Sequence, residues 1–283
     1  MDKTVIRRSR KEDTEEILAM LLEMDSGDYL QKIWPVWMQD ADNVQLVDMI
    51  DGRIAGCIHG RLSAGQDAWA QGLRVRADLR RRSIATSLLK ALEEELRRKG
   101  AQTVYATISR FNIPSQSTVG KLNWETVLTV IRRRLKMKSQ PPENPHWSPL
   151  DPKEILKIVH MSGMPASRKA FAFFKRVYFS MTEGFLKEVI AAGLVRANTY
   201  PPAVAILDPD PEENKGLWVI SLSGQPSGMT FLLINLEAEA ARHNLDLIVD
   251  SPNDPGIQDV LDALGFAPAG EDGQFVVVKK ELL

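Results

Sequence analysis

The sequence predicts an α/β protein made of two related domains in tandem, each a mixed, mostly antiparallel sheet flanked by helices. Three observations lead there. Hydrophobic periodicity in the first half alternates between the strand and helix periods, giving the order β-α-α-β-β-β-α-β-α-β. Residues 139–152, "SQPPENPHWSPLDP", place five prolines in fourteen positions, which removes donors and disfavours helix, as a linker does. The second half then repeats part of the first half's order. With 283 residues, 44% of them hydrophobic, there is material for two cores. The expected domains are 1–138 and 153–283, joined by 139–152.

In the first half "TVIRRS" (4–9) reads as a strand. Asp13 or Thr14 can cap a helix carrying Ile17, Met20, Leu21 and Met24 on one face. "GDYLQKIWPVWMQD" (27–40) reads as a proline-interrupted helix. "VQLVDMI" and "RIAGCIHGR" flank Asp51-Gly52, a hairpin signal. "AWAQGLRVR" (68–76) is the next strand. From Ser83 to Lys99, Ile84, Leu88, Leu92 and Leu96 share one helical face, and Gly100 stops it. A strand (103–109), a short helix (about 114–122) and a closing strand (126–137) follow. The second half shows a helix ending at Gly193, strands at 203–208 and 216–222, a helix from about Gly228 to His243, a strand at 245–250, a short helix at 257–266 and a strand at 275–282. Leu88-Leu89 overlays Leu233-Ile234, and Leu122-Asn123-Trp124 overlays Leu264-Gly265-Phe266, as an internal duplication would.

One cysteine, Cys57, excludes an intrachain disulfide and paired-thiolate metal sites. The start lacks the apolar core of a signal peptide, and no apolar run is long enough to span a membrane, so a cytoplasmic location is expected. Residues 1–138 carry 24 Lys+Arg against 18 Asp+Glu, and 139–283 carry 12 against 19. That split suggests an anionic partner for the first half, or two halves that attract each other. It falls short of a nucleic-acid footprint.

The chemistry concentrates where a strand hands over to a helix. Leu73-Arg74-Val75 ends the strand, and Arg80-Arg81-Arg82-Ser83-Ile84-Ala85 opens the helix. A helix start offers unpaired N–H groups to an anion, small residues let the main chain approach it, and arginines add charge-assisted bonds. Read alone, the arginines fit a solvated loop equally well.

The block resembles the acetyl-CoA motif of the GNAT superfamily of N-acetyltransferases, Arg/Gln-x-x-Gly-x-Gly/Ala after a Leu-x-Val strand, with Ser83 replacing the first glycine. "IRRSRKED" (6–13) resembles the family's opening strand and helix start, and "DGRIAGCI" (51–58) its hairpin. The segment from Asn112 through Ser115 to Asn123-Trp124 resembles its Asn-x-x-Ala…Leu-Gly-Phe run. The resemblance implies two tandem GNAT-like domains. It implies acetyl-CoA as cosubstrate, its pyrophosphate on Arg80–Arg82 and the amides of Ser83, Ile84 and Ala85, and its pantetheine arm along the edge of Leu73, Arg74 and Val75. Asn112 would approach the arm or the thioester. No metal is expected. The implied partner is a small-molecule or peptide amine acceptor, with no nucleic acid and no membrane; a homodimer is compatible with it.

Two of the family's catalytic positions hold other residues here. Val119 stands at the tyrosine acid and Trp69 at the glutamate base. Tyr105, Ser115, Ser117, Thr107, Asp67 and Gln71 are substitutes, and Asn112, Ser115 and Tyr105 are the catalytic set expected. His59 reads first as a hydrogen-bonded strand histidine, and Cys57 as a small core residue. Trp34, Trp37 and Met38 belong to a core helix or wall an acceptor site. The second half keeps Gly228 in "QPSGMT" but has no arginine there, Leu261 at the tyrosine and Asn214 at the base, as in a degenerate copy. The expected activity is acetyl transfer from acetyl-CoA to an amine, by an acyl-CoA N-acyltransferase. The alternative is a non-catalytic acyl-CoA-binding or regulatory GNAT-like protein.

Overall fold

The computed structural model describes residues 4–40, 43–62, 66–137, 147, 151–161, 171–174, 177–180, 183–208, 216–269 and 273–282. The first half runs β1 (Thr4–Arg8), α1 (Thr14–Met24), α2 (Leu30–Trp37), β2 (Asn43–Ile50), β3 (Arg53–Leu62) and β4 (Asp67–Val75). It continues with α3 (Ile84–Arg98), β5 (Thr103–Ser109), α4 (Ile113–Lys121) and β6 (Glu125–Leu135). The second half opens with α5 (Pro152–Met161), β7 (Phe171–Phe174), β8 (Val177–Ser180), α6 (Glu183–Ala191), β9 (Val195–Thr199), β10 (Pro202–Leu207) and β11 (Gly216–Gly224). It closes with α7 (Pro226–Arg242), β12 (Asp246–Pro252), α8 (Pro255–Ala263), β13 (Ala267–Pro268) and β14 (Gln274–Glu281). Sequence reasoning missed α5, β7, β8 and β9. Most of the proline-rich stretch, and Asn214, lie outside the described residues.

The chain divides into two compact units that are not contiguous halves. Unit 1 is 1–108, 112–126 and 277–283; unit 2 is 109–111 and 127–276. Most of β6, which closes the first half in sequence, therefore belongs to unit 2, and the end of β14 belongs to unit 1. Unit 1 orders its strands β1-β2-β3-β4-β5-β14. Unit 2 orders them β6-β12-β11-β10-β9, with β13 pairing β6.

This arrangement corrects the charge reading. Unit 1 holds 20 Lys+Arg and 19 Asp+Glu, because the basic run at 132–138 lies in unit 2. There Arg132 clasps Asp250 through two bonds of 2.7 and 2.8 Å and lies 4.1 Å over the Trp218 ring. Arg133 pairs with Asp262 at 3.0 Å. Arg132 and Arg133 thus meet carboxylates within unit 2, and unit 1 taken alone is close to charge balance, so the charge of the first half is no argument for an anionic partner.

Within unit 1, β1–β4 pair antiparallel and β4–β5 pair parallel. α3 crosses between the parallel strands and buries Ile84, Leu88, Leu92 and Leu96 against β3. Gly60 permits this contact, since a Cβ there would sit 2.6 Å from Leu92 Cδ1. α1 and α2 share a separate cluster with Val47, Ile54 and Cys57. The duplication is visible in unit 2, where β10–β11 pair antiparallel and β11–β12 parallel. α4 and α8 start 142 residues apart, each capped by a side chain: Asn112 accepts from Ser115 N, and Asp254 from Ile257 N. Each helix ends at a left-handed residue, Asn123 (φ 60°) and Gly265 (φ 81°), and a buried aromatic follows, Trp124 and Phe266. Among the described residues no helix is long and apolar enough to cross a membrane, and no group of three metal-ligating side chains occurs.

Candidate functional site: a forked strand and a helix start

β4 and β5 begin as neighbours and then separate. Their parallel register covers Asp67↔Thr103, Ala68↔Val104 and Trp69↔Tyr105. β4 stays on β3 throughout, but Gln71 faces His59 while Arg74 faces Cys57, so β4 carries one extra residue. That is a β-bulge, which bends a strand and ends pairing on one side. Gly72 supplies its left-handed backbone at φ 68°, and a Cβ there would lie 3.2 Å from both Leu30 Cδ2 and Trp37 Cζ3. Beyond Trp69 the β5-side edge of β4 makes no further strand pair among the described residues. An extended ligand could pair there, as in strand addition, although Leu73 O already accepts from Arg74 Nη1 at 3.0 Å and Val75 O from Arg80 Nε at 3.5 Å.

That edge leads into α3. A single 3-10 turn, Ala77–Leu79, connects them, followed by Arg80 extended, Arg81 at φ 65° and Ser83 at φ 63°. The helix starts at Ile84, one residue later than its sequence suggests, with Ser83 as N-cap. Ser83 makes no side-chain cap bond, and the first turn holds no acidic residue. Left-handed residues just before a helix turn successive N–H groups into one concavity, where an anion is favoured. Ile84 is buried with its Cγ2 3.2 Å from where a Gly56 Cβ would be, which pins the helix start to β3. Arg80, Arg81 and Arg82 are exposed around the turn.

Other expected residues are placed differently. The Arg74 side chain is committed to buried Asp28, with bonds of 2.6 and 3.1 Å, and to Leu73 O at 3.0 Å, while its backbone pairs with Cys57 on β3, so Arg74 itself is turned away from the open edge. Leu73 and Val75 are partly buried strand residues beside it, and Ala85 is partly buried in the helix's first turn. Asn112 spends its side-chain oxygen on the α4 cap at 3.1 Å from Ser115 N, which holds Ser115 in the first turn. Tyr105 is buried and stacked on Trp69, centroids 6.1 Å apart. Burial pushes its hydroxyl pKa up, and the nearby Asp67 and Glu281 carboxylates push the same way, so it retains its proton rather than passing it on. Val119 and Trp69, at the family's acid and base positions, are buried apolar residues.

Residues 11–124 match the Acetyltransferase (GNAT) family, a span that contains the bulge, the forked strands and the helix start. The chain carries a GNAT acetyltransferase domain. A GCN5-related N-acetyltransferase from Sphaerobacter thermophilus has the same fold at 16% identity and TM-score 0.64, over 99% of this chain and 96% of that one. A tandem GNAT protein from the clavulanic acid biosynthesis pathway superposes with TM-score 0.57 at 14% identity, over 100% and 99% of the two chains. A candidate acetyltransferase of Thermoplasma acidophilum gives 0.62 at 15% identity, over 98% and 99%. No curated protein matches the chain.

The GNAT domain carries one polar pair, a buried histidine and a partly exposed glutamine, that sequence reasoning did not join. His59 is fully buried and stacked on Trp37, centroids 3.7 Å apart and planes 16° from parallel. Its Nδ1 lies 3.2 Å from Gln71 Nε2. Burial, with Arg61 nearby, pushes its pKa down to about 3. The unfolded chain therefore binds a proton near pH 6.5 that the folded chain refuses. Stability from this group is full above pH 6.5 and falls by about 1.4 kcal/mol per pH unit below it, until the folded value is reached. The difference in urea-unfolding free energy between the parent and His59→Phe is expected to show that slope between pH 6 and 4.5. A flat difference would mean that the ring is charged, or solvated, when folded. Cys57, whose thiol burial pushes up to about 12, is inert beside it.

The corresponding features of unit 2 are closed. β11 and β12 also pair over only four positions, Gly216↔Asp246 to Val219↔Val249. At the start of α7, however, a Cβ on Gly228 would fall 2.7 Å from Pro202 O and 2.8 Å from Pro201 O. The glycine that survives from the motif admits the β9–β10 turn, and carbonyl oxygens face the helix start.

Proposed function

We propose that the GNAT domain binds acetyl-CoA along the open edge of β4 and transfers the acetyl group directly to an amine. The observation that carries this reading is the continuity of an unpaired strand edge with a helix start free of acidic residues. The pyrophosphate sits on the N–H groups of Ser83, Ile84 and Ala85 with Arg80–Arg82 around it. The pantetheine arm runs along residues 70–75, which places the thioester where β4 leaves β5. A neutral amine attacks the thioester carbonyl carbon, so a C–N bond forms and the C–S bond breaks. CoA departs as thiolate with the bonding pair, and the proton shed by nitrogen ends on sulfur. Holding the two reactants in contact, with strand amides polarising the carbonyl, supplies most of the acceleration. Asn112 and Ser115, at the head of α4, are proposed contributors to the site. α7 in unit 2 binds no cofactor.

CoA release from acetyl-CoA across a panel of amino acids, peptides, arylamines and polyamines tests the proposal, with release by at least one class expected. The second reading, an acyl-CoA-binding module without turnover, draws on Val119 and Trp69 at the acid and base positions. Acetyl-CoA binding with no release anywhere in the panel would establish it instead.

A further inference from the structure

We propose that Gln71, oriented by His59, holds the acceptor nitrogen as a hydrogen-bond acceptor rather than as a base, and that the acceptor is an amine of low basicity such as an α-amino or aryl amine. This inference rests on the acetyl-transfer reading above. Gln71 stands two residues beyond Trp69, the last β4 residue paired with β5, and immediately before the bulge at Gly72. It is partly exposed, at the point where the thioester is placed, and its contact with His59 puts its side chain on the face covered by α2.

The amide is held from behind. Gln71 Nε2 donates to His59 Nδ1 at 3.2 Å, which leaves Oε1 pointing away from the ring and places the imidazole proton on Nε2. That Nε2 has no partner among the described residues and is fully buried. An orphaned buried donor costs on the order of 1–3 kcal/mol. A leucine or phenylalanine packed on Trp37 would avoid that cost, so the histidine is explained by what its other nitrogen does. His59 is a positioning residue, and Gln71 is the group that meets substrate.

A carbonyl oxygen can receive an N–H but cannot take its proton. The carboxylate nearest along β4, Asp67, precedes Trp69 and lies beside Tyr105. Asp28 is bound to Arg74. With neither of these carboxylates free to act at Gln71, the acceptor on this reading arrives with its lone pair free. At pH 7.5 an α-amine near pKa 8 is free in a fraction about 10²-fold larger than an alkyl amine near 10.4.

Three measurements on the full chain decide the matter. With acetyl-CoA saturating at pH 7.5, amino-acid amides and anilines are expected to react about 10²-fold faster in kcat/KM than butylamine or cadaverine; equal rates would overturn the proposal by showing a base elsewhere. Gln71→Ala is expected to raise the acceptor KM about tenfold while leaving acetyl-CoA KM and acetyl-CoA thermal stabilisation intact; an unaltered acceptor KM would overturn it. Nitrogen-15 histidine spectra are expected to show His59 protonated on Nε2, and His59→Phe, which keeps the stack on Trp37, to raise acceptor KM in the same direction. A proton on Nδ1 would reverse the Gln71 amide and overturn the assignment. Absence of CoA release by the parent protein would strike the transfer reading itself, whereas normal transfer with an unaffected Gln71→Ala would strike this proposal alone.

Discussion

The double variant Arg80→Glu, Ser83→Glu is expected to lose all stabilisation by acetyl-CoA. A ligand at 100 times its dissociation constant adds about 2.7 kcal/mol to the parent, and that increment should fall to near zero. The two glutamates bring negative charge to the one turn where N–H groups converge before α3 and no acidic side chain neutralises them. They do not threaten the helix, because a carboxylate at an N-terminus favours it. Ser227→Glu, at the exposed start of α7, makes the same change in unit 2 and should leave the shift intact. Ser83→Gly probes the same residue with opposite sign. Ser83 sits at φ 63°, a conformation that costs a residue with a Cβ about 1 kcal/mol. Glycine should recover that amount and retain the ligand shift. A full acetyl-CoA shift in the double variant would place the cofactor elsewhere; loss of the shift in Ser227→Glu would move it to unit 2.

Gly72→Val is expected to cost about 2–6 kcal/mol and to abolish acetyl-CoA binding. It combines a β-branched side chain at φ 68° with contacts of 3.2 Å to Leu30 and Trp37. The backbone contributes about 1–3 kcal/mol and overpacking about 1–3 more. Gly52→Val separates the two contributions. Gly52 has φ 82° in the β2–β3 turn with nothing within 4 Å of a Cβ, so its substitution carries the backbone cost alone. Binding should survive at Gly52 and fail at Gly72, since only the latter shapes the fork. Equal stability and equal acetyl-CoA shifts in the two variants would show that the bulge is dispensable.

Much of the fold was legible because local rules and the final packing agree. The hairpin at Asp51-Gly52 follows from two residues that tolerate positive φ, observed at 48° and 82°. The apolar face of α3 follows from helical spacing, and the structure buries that face against β3. The 142-residue offset between α4 and α8 could be read because caps, left-handed ends and aromatics sit at fixed local distances. The bulge had a weaker signal, a glycine inside the strand pattern "AWAQGLRVR", that went unread. β9, "VRANT", offered no alternation to read; it is defined by its hairpin partner β10.

The candidate site divides in the same way. Arg80–Ala85 could be singled out from residue type, because a helix start acts over one turn, although the same arginines alone would fit a solvated loop. Arg74 could not: a strand arginine beside a motif looks the same whether it faces a ligand or a buried Asp28, 46 residues away. Nor could His59 and Gln71, which meet only because β3 and β4 pair in that register.

By itself the sequence determined the secondary elements of the first half, the duplication and the arginine-rich, small-residue start of α3, since each depends on interactions within a few residues. Tertiary structure alone decided which strand closes which unit, where the cations at 132–134 find their carboxylates, and how β4 parts from β5. The reason is that hydrogen-bond ladders and ion pairs are indifferent to sequence distance. A strand from either half satisfies the same alternation, and only the packed sheet selects between them.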